Sequence, residues 1–311
     1  MEDVRMFAQT NIEADTGFAA STVQYIWDKY NAWNGSVPGT FGGQLSPPIY
    51  QKWRRCGYLV LFLMWVHLGL TPARTNQWHV QHVKMPMSTE TWRTEVVGVG
   101  HALANIISEI DYDRRLDLYN HAPLFKYYVT ALVDTLPIYV PHPSSFAMRK
   151  LLYQPKYKAC VFKMQLGVNF LGQIVLWTGP HLGVTSDKEI WESTWAEHPF
   201  FSWEWWLADL GYVGALGLLT KYKRRRRPAR NAPPPPLLPQ QQLMNNVHEH
   251  VRNRIENIVG RVKRHALLRR GHYRGDFTKL KTILQVIGHM TAAELNHVPC
   301  FAAYGPWRHF Y

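Results

Sequence analysis

At 311 residues the chain can bury a full core and hold two domains, or one domain with a substantial accessory segment; with 46% apolar residues and abundant Trp and Tyr, intrinsic disorder is excluded as its default state. Its formal charge of +13, from 35 basic and 22 acidic residues, is unevenly placed, because residues 221–281 hold 17 Lys or Arg against Glu249, Glu256 and Asp276 and leave the remainder close to neutral. A basic excess confined to one part of a chain points to a polyanionic partner, nucleic acid foremost, with a solvated surface or an anionic membrane as the other readings.

Residues 1–48 mix acidic and Gly-rich stretches, GSVPGTFGG among them, and the order expected there is a helix over 20–33 followed by a loop. No charged start leads into an apolar run at the N-terminus, so no secretory signal is expected. Residues 51–70 are predicted helical, with Lys52, Arg54 and Arg55 leading into YLVLFLMWVHLGL, and Thr71 and Pro72 break the helix or restart it. That apolar run is too short to span a bilayer and contains His67, so it reads as a buried helix and no membrane association is expected. A second helix is expected after Pro86, capped by Ser88, because Trp92, Val96, Val99, Leu103, Ile106, Ile107 and Ile110 keep helical spacing. Two such helices around a short turn can form a helix-turn-helix whose second helix enters the major groove; a plain helical bundle is the equally open reading. Together these elements make a helical N-terminal region, residues 1–120. Cys56, Cys160 and Cys300 lie far apart with no CxxC pair, which fits a reduced, intracellular compartment.

After Asp111 the pattern changes to short β-type runs. FKYYVTALVD, residues 125–134, is β-branched and aromatic and ends in an acid. KACVFKMQLGVNF (158–170) and QIVLWT (173–178) flank Leu171 and Gly172 as a hairpin. SDKEIWESTW (186–195) reads as a short capped helix. WWLAD (205–209) is a strand that again ends in an acid, and LLTKYK (218–223) is a further short strand. Residues 221–242, KYKRRRRPARNAPPPPLLPQQQ, cannot pack and are expected as an exposed, partly polyproline-II loop. Its Arg224, Arg225, Arg226 and Arg227 can contact phosphates or act as a nuclear-import signal, a solvated linker being the bland reading.

Residues 243–270 are predicted as one helix with Val247, Val251, Ile255, Ile258, Val259, Val262 and Ala266 on its buried stripe and Asn245 or Asn246 as N-cap. Glu256 lies beside that stripe, in line with Gly260 and Lys263, where it can face inward at one edge; alone, it reads first as an ion-pair partner of Arg252 or Lys263. The order of three strands, helix, strand, short strand and long helix matches a ribonuclease-H-like α/β sheet over residues 121–294, with 295–311 as a tail.

Phosphodiester cleavage at neutral pH needs an activated water or hydroxyl and relief of charge on the leaving oxygen, and two divalent ions about 4 Å apart supply both. Magnesium prefers hard oxygen ligands and keeps several waters, so a few carboxylates suffice to hold it. Asp134 and Asp209 end strands that can lie side by side in a parallel pairing, and the long helix can bring Glu256 to the same point. Singly, each acid is more often a cap or a surface charge; together they form an Asp, Asp, Glu constellation.

These residues resemble the DDE-type transposase domain of the PIF/Harbinger class, over roughly residues 128–294. VDTLPIYVPHP (133–143) resembles that family's first-aspartate motif, and residues 156–175 its following hairpin. GVTSDKEIW (183–191) resembles the glycine-to-aspartate segment, ADLGY (208–212) the second-aspartate motif, and NNVHEHVRNRIENIVGRVKR (245–264) the third-acid helix, with Asn245, His248, Arg252, Glu256, Asn257, Gly260 and Lys263 at matching places. The resemblance implies that Asp134, Asp209 and Glu256 are catalytic acids that bind Mg²⁺ or Mn²⁺ as two ions, with Asp187 a further acid near the metals. It implies DNA as substrate, a separate Myb-like DNA-binding partner, a nuclear location, and strand cleavage followed by attack of the freed 3′-hydroxyl on target DNA. Arg252, Lys263 and the Arg224 to Arg227 run would hold phosphates, and a homo-oligomer is a further expectation. The chain departs from the family pattern at Leu136, where a Gly-Thr type sequence is usual after the aspartate, at Ala208 for Gly and at Val213 for Pro.

Other candidates carry less. His79 and His82, or His248 and His250, lack the clustered Cys or HExxH spacing of a metal site and read as surface or helix-face histidines. Trp203, Trp205 and Trp206 can stack on bases but read first as core and edge packing. The alternative from another class is a domesticated, non-cleaving protein that binds DNA or chromatin, and a general nuclease of the same fold is a third reading.

Overall fold

Helical spacing in the first hundred residues becomes helices in the computed structural model, which describes residues 12–35, 48–71, 73–74, 77, 80, 87–117, 122–124, 127–223, 236–269, 273 and 277–297. The chain divides into two compact units: Met1–Ile110, Ile138–Pro143 and Arg261–Val298 make a helical unit, and Asp111–Pro137, Ser144–Gly260 and Pro299–Tyr311 make an α/β unit.

The helical unit begins with α1 (Ile12–Thr16), α2 (Ala20–Gly35) and α3 (Pro48–Leu68). In α2 the inner face carries Val23, Ile26, Trp27 and Tyr30. The apolar run of α3 is buried from Tyr58 to Met64 and again at Val66, as expected, and no helix among the described residues is long and apolar enough to cross a membrane. Ser88 caps the next helix, its side chain accepting from the Thr91 N–H; α4 (Thr89–Thr91) continues through a π-helical turn at Trp92–Val96 into α5 (Val97–Ile106). This helix stops short of Ile110, because Ile107 turns extended. Its buried face holds Val97, Val99, Gly100 and Leu103, and a Cβ at Gly100 would meet the Phe62 ring at 2.7 Å, so a glycine lets α3 and α5 close up. Most of residues 72–86, where the turn of a helix-turn-helix would fall, lies outside the described residues.

The α/β unit is built on a mixed sheet of order β3-β4-β2-β6-β7, with β1 against β2 and β5 against β4. Its strands are β1 (Ala122–Leu124), β2 (Tyr127–Tyr139), β3 (Tyr153–Gln154), β4 (Ala159–Asn169), β5 (Ile174–Leu182), β6 (Glu204–Ala208) and β7 (Leu218–Leu219). β4 and β5 form the antiparallel hairpin expected around Leu171 and Gly172, while β6 runs parallel to β2 and β7 parallel to β6. Among the described residues three helices accompany them: α6 (Phe146–Leu152), α7 (Asp187–Glu197) and α8 (Pro239–Val262). Ser186 and Glu189 form a capping box at the start of α7, as the sequence pattern predicts. Trp191 of α7 packs with Ala131, Val133, Trp206, Ala208 and Tyr212 in the core, and Gly167 of β4 admits the Trp206 ring, which would lie 2.6 Å from a Cβ there.

α8 differs from the expected helix at both ends. It starts at Pro239, inside the predicted loop, because proline suits a first helical turn and Gln241 accepts from the Leu238 N–H, half of a capping box. Asn245 is therefore no cap; its side chain grips the backbone N–H and carbonyl of Tyr222. The helix ends at Val262, and Ala266–Leu268 form a separate 3-10 turn. β7 is also shorter than the predicted strand. Arg224 to Arg227 and most of the Pro-rich stretch lie outside the described residues.

One buried charge network fixes the far end of the β2–β6 pairing. Glu204 accepts from Arg115 Nε at 2.8 Å, Thr130 Oγ1 at 2.8 Å and Trp206 Nε1 at 2.8 Å, and Arg115 also donates to the Pro199 carbonyl at 2.8 Å. Both charged residues are fully enclosed, so each is held by partners instead of water.

The last helix, α9 (Phe277–His297), returns to the helical unit, where Arg264 forms a forked pair with Glu294 at 2.8 and 3.1 Å. In the α/β unit Arg254 of α8 donates to the Phe170 carbonyl at 2.6 Å. Part of the basic excess read as a polyanion surface is thus used inside the fold.

Candidate active site

Strand parity brings the two aspartates to one face. Side chains alternate along β2, so Ala131 and Val133 enter the core with Trp191, whereas Leu132 and Asp134 turn the other way and meet α8. Leu207 and Asp209 do the same from β6, and a small cleft is lined by Leu132, Asp134, Leu207, Asp209, His248, Arg252 and Ile255. The parallel register ends with Val133 opposite Ala208, and the residues that follow, Asp134 and Asp209, both line this cleft.

The two acids leave their strands differently. β2 does not end at Asp134 as expected but runs on to Tyr139, carried by buried Leu136 and Ile138. β6 does end at Ala208, and Asp209 caps a 3-10 turn, Leu210–Tyr212, with its Oδ1 accepting from the Leu210 N–H at 2.6 Å. The partner strand therefore turns away beside Asp134 and opens space there. Buried Tyr212 at the end of that turn shares a 2.5 Å hydrogen bond with Thr135 Oγ1, tying the residue after Asp134 to the turn after Asp209.

α8 docks onto this end of the sheet. His248 is not at the surface but on the buried face of α8: its Nε2 donates to the Ala208 carbonyl at 2.8 Å, and burial lowers its pKa and keeps it neutral. The side chains of His79, His82 and His250 lie outside the described residues. One turn beyond His248, Arg252 donates from Nη1 to Asp209 Oδ1 at 2.8 Å and sets Nε 3.2 Å from Glu256 Oε1. Glu256 does not face inward; its side chain is 56% exposed and takes the i, i+4 partnership with Arg252. Lys263 is exposed just past the end of α8 and belongs to the helical unit.

Asp187 completes the surroundings. It is the first residue of α7, and its Oδ1 lies 3.1 Å from Nζ of Lys163, a buried lysine of β4 that also donates to the Thr185 carbonyl at 2.7 Å. A Cβ at Gly211 would stand 2.9 Å from Asp187 Oδ2, so a larger residue there would push this carboxylate aside. Burial raises the Asp134 pKa; the Thr135 N–H and Arg252 oppose that rise, while Asp209 and Asp187 add to it.

Chemically, this is a concentration of hard carboxylate oxygens with two cationic side chains, Arg252 and Lys163, as counter-charges. Asp134 and Asp209 suit a hard divalent cation, which would relieve their repulsion. Glu256 stands apart on the other side of Arg252, and among the described residues no group of three or more His, Cys, Asp or Glu side chains is close enough to hold an ion. Sequence reasoning missed Lys163 and Tyr212; the available signal for the first was a lone lysine inside the apolar run CVFKMQLGV.

Residues 133–291, slightly more than half of the chain, match the family model described as DDE superfamily endonuclease. No curated protein and no solved structure matches the chain.

Proposed function

The chain belongs to the DDE superfamily endonucleases, and from that premise we propose that it is a metal-dependent DNA endonuclease and transposase of the PIF/Harbinger type, with a ribonuclease-H-like catalytic fold. The observation that carries this reading is the parallel β2–β6 register, whose last pair is Val133 and Ala208, with the next residues of both strands, Asp134 and Asp209, lining one cleft with His248 and Arg252 of α8. Asp134 and Asp209 would hold Mg²⁺ or Mn²⁺, with Glu256 joining them when Arg252 lets go of it. Once bound, two such ions activate a water and relieve charge on the leaving oxygen. Arg252, freed from Asp209 and Glu256, would carry its guanidinium to a DNA phosphate, a planar match for two of its oxygens. Asp187, held by Lys163, keeps a further negative charge beside the pair.

In this reading the strand cut leaves a 3′-hydroxyl that attacks target DNA. Lys263 and Arg224 to Arg227 add phosphate contacts, and the Arg run serves nuclear import. A Myb-like partner for end recognition, a homo-oligomer, and a helix-turn-helix within residues 1–120 that binds DNA belong to the same proposal.

A second reading, a non-cleaving DNA-binding descendant of such an enzyme, draws on the ion pairs by which Arg252 already neutralises Asp209 and Glu256. The deciding experiment is Mg²⁺- or Mn²⁺-dependent cleavage of supercoiled and short linear DNA, with Asp209→Asn and Glu256→Gln beside the parent. Cutting by the parent alone supports the nuclease. DNA binding without any cutting, with or without a Myb-like partner, favours the second reading.

A further inference from the structure

Residues 144–158, SSFAMRKLLYQPKYK, carry Arg149, Lys150, Lys156 and Lys158 and no acid, a local excess hidden by the near-neutral balance of the chain outside residues 221–281. They form α6, β3 and the turn into β4, and nearly all of this surface is exposed, with Leu152 as its buried anchor. Aromatic and apolar side chains are interleaved with the charges: Phe146 is 75% exposed, and Leu151 and Tyr153 are exposed as well. The Arg149 guanidinium lies 5.9 Å from the Phe146 ring centre, and Lys156 Nζ lies 5.4 Å from that of Tyr157. Lys158 adopts φ +49°, a conformation in which glycine would be the sterically free choice, so a charged side chain stands where the backbone favours none. Among the described residues no carboxylate pairs with Arg149, Lys150 or Lys156.

This surface is fixed relative to the acids. The Val184 N–H donates to the Leu151 carbonyl at 3.2 Å, and Gln154 Nε2 donates to the Gly183 carbonyl at 3.0 Å. Thr185 follows, its carbonyl held by Lys163, and Asp187 begins α7, close enough for its charge to act on Asp134. The nearest acids on this loop are engaged: Asp187 by Lys163, and Glu189 by the Ser186 backbone N–H at 2.7 Å.

We propose that the α6–β3 face is a docking surface for duplex DNA, gripping the phosphate backbone with Arg149, Lys150, Lys156 and Lys158 so that the strand continues past Asp134 and Asp209. This rests on the nuclease reading above. A charge excess without acids fits a polyanion better than an apolar protein partner, and the interleaved rings hold the cationic groups in place and pack against sugars.

The test is fluorescence anisotropy with labelled random-sequence duplex DNA in EDTA, using the full chain. The variants are Arg149→Glu/Lys150→Glu/Lys156→Glu and, as a control of equal kind on exposed lysines of the helical unit, Lys279→Glu/Lys281→Glu. The triple variant is expected to lose more than about tenfold in affinity and to flatten the slope of log K against log salt by about 0.9 per lost contact, with an unchanged thermal midpoint. The control should keep both affinity and slope. Unchanged binding by the triple variant, which a protein-docking role for this face would also give, overturns the proposal; so does an equal loss in the control, which would make the effect one of bulk charge. Manganese-dependent cleavage by the parent is scored separately. If the parent cuts while the triple variant binds normally, this surface falls and the nuclease reading stands. If the triple variant loses binding but the parent never cuts, the surface stands and the nuclease reading falls.

Discussion

Arg252 Nη1 lies 2.8 Å from Asp209 Oδ1, while the same guanidinium sets its Nε 3.2 Å from Glu256. One side chain therefore neutralises two of the three acids that the family resemblance assigns to metal binding. Removing it as Arg252→Met keeps much of the stem that packs beside Ile255 and leaves both carboxylates without that cation. Mn²⁺ affinity, read by calorimetry, is expected to tighten by about 1.5–3 kcal/mol, the strength of a hydrogen bond to a charged group. DNA affinity is expected to fall in the same variant. Metal binding that weakens or stays unchanged would show that the guanidinium does not compete with the ion.

The Arg115–Glu204 network makes a stability prediction independent of catalysis. Glu204→Ala leaves a fully enclosed guanidinium without its carboxylate, and loss of one member of a buried pair costs about 3–5 kcal/mol. Glu204→Gln keeps an acceptor for Arg115, Thr130 or Trp206 and should cost less. Urea unfolding of the two variants beside the parent measures this. A loss under about 1 kcal/mol for Glu204→Ala would mean that the network adds nothing beyond an ordinary surface contact.

How much of this was legible in the sequence depends on the range of the interaction. The hairpin about Leu171 and Gly172, the Ser186 capping box and the Ser88 cap are local, and their residues announce them. Periodicity located the buried stripe of α8 but not its ends, because Pro239 and Gln241 start it earlier than the Asn pair suggests and the ladder ends at Val262. The parallel pairing of the strands bearing Asp134 and Asp209 followed from the order of elements. The length of β2 did not, since an acid within a strand looks like an acid at its end until the partner strand stops. The contacts of Lys163 with Asp187, Tyr212 with Thr135 and Arg115 with Glu204 join residues 24 to 89 positions apart, and no local pattern encodes such pairings.

Tyr212→Phe tests whether the two acid-bearing ends are held in register. The substitution removes only the hydroxyl that bonds Thr135 and leaves the ring in the core with Trp191 and Trp206. A stability loss of about 1 kcal/mol is expected from the missing hydrogen bond. If the tie positions Asp134 against Asp209, Mn²⁺ affinity should also fall, which a purely structural role would leave unmoved. The titration is read beside the melting curve of the same sample.

The helical unit carries a pH dependence of its own. His265 is enclosed, neither ring nitrogen has a partner among the described residues, and its ring stacks on Phe18 at 4.8 Å and meets His67 edge-on at 5.6 Å. Burial first, then the positive charges of His67, Arg264 and Arg269, push its pKa down to about 3. A histidine whose folded pKa is depressed takes up its proton more readily when unfolded, so its contribution to stability is present above the unfolded value near 6.5 and is lost as pH falls from there towards 3. Across that window the slope from this residue is about 1.4 kcal/mol per pH unit. The His67 pKa is also lowered, by burial first, and steepens the loss at its upper end. His265→Phe keeps a flat ring against Phe18, removes two buried nitrogens and abolishes the proton uptake. Thermal midpoints from pH 7.5 to 4.5 should therefore draw apart or cross, with the parent falling faster and the variant more stable at the acid end. Parallel curves would show that His265 is not the group responsible.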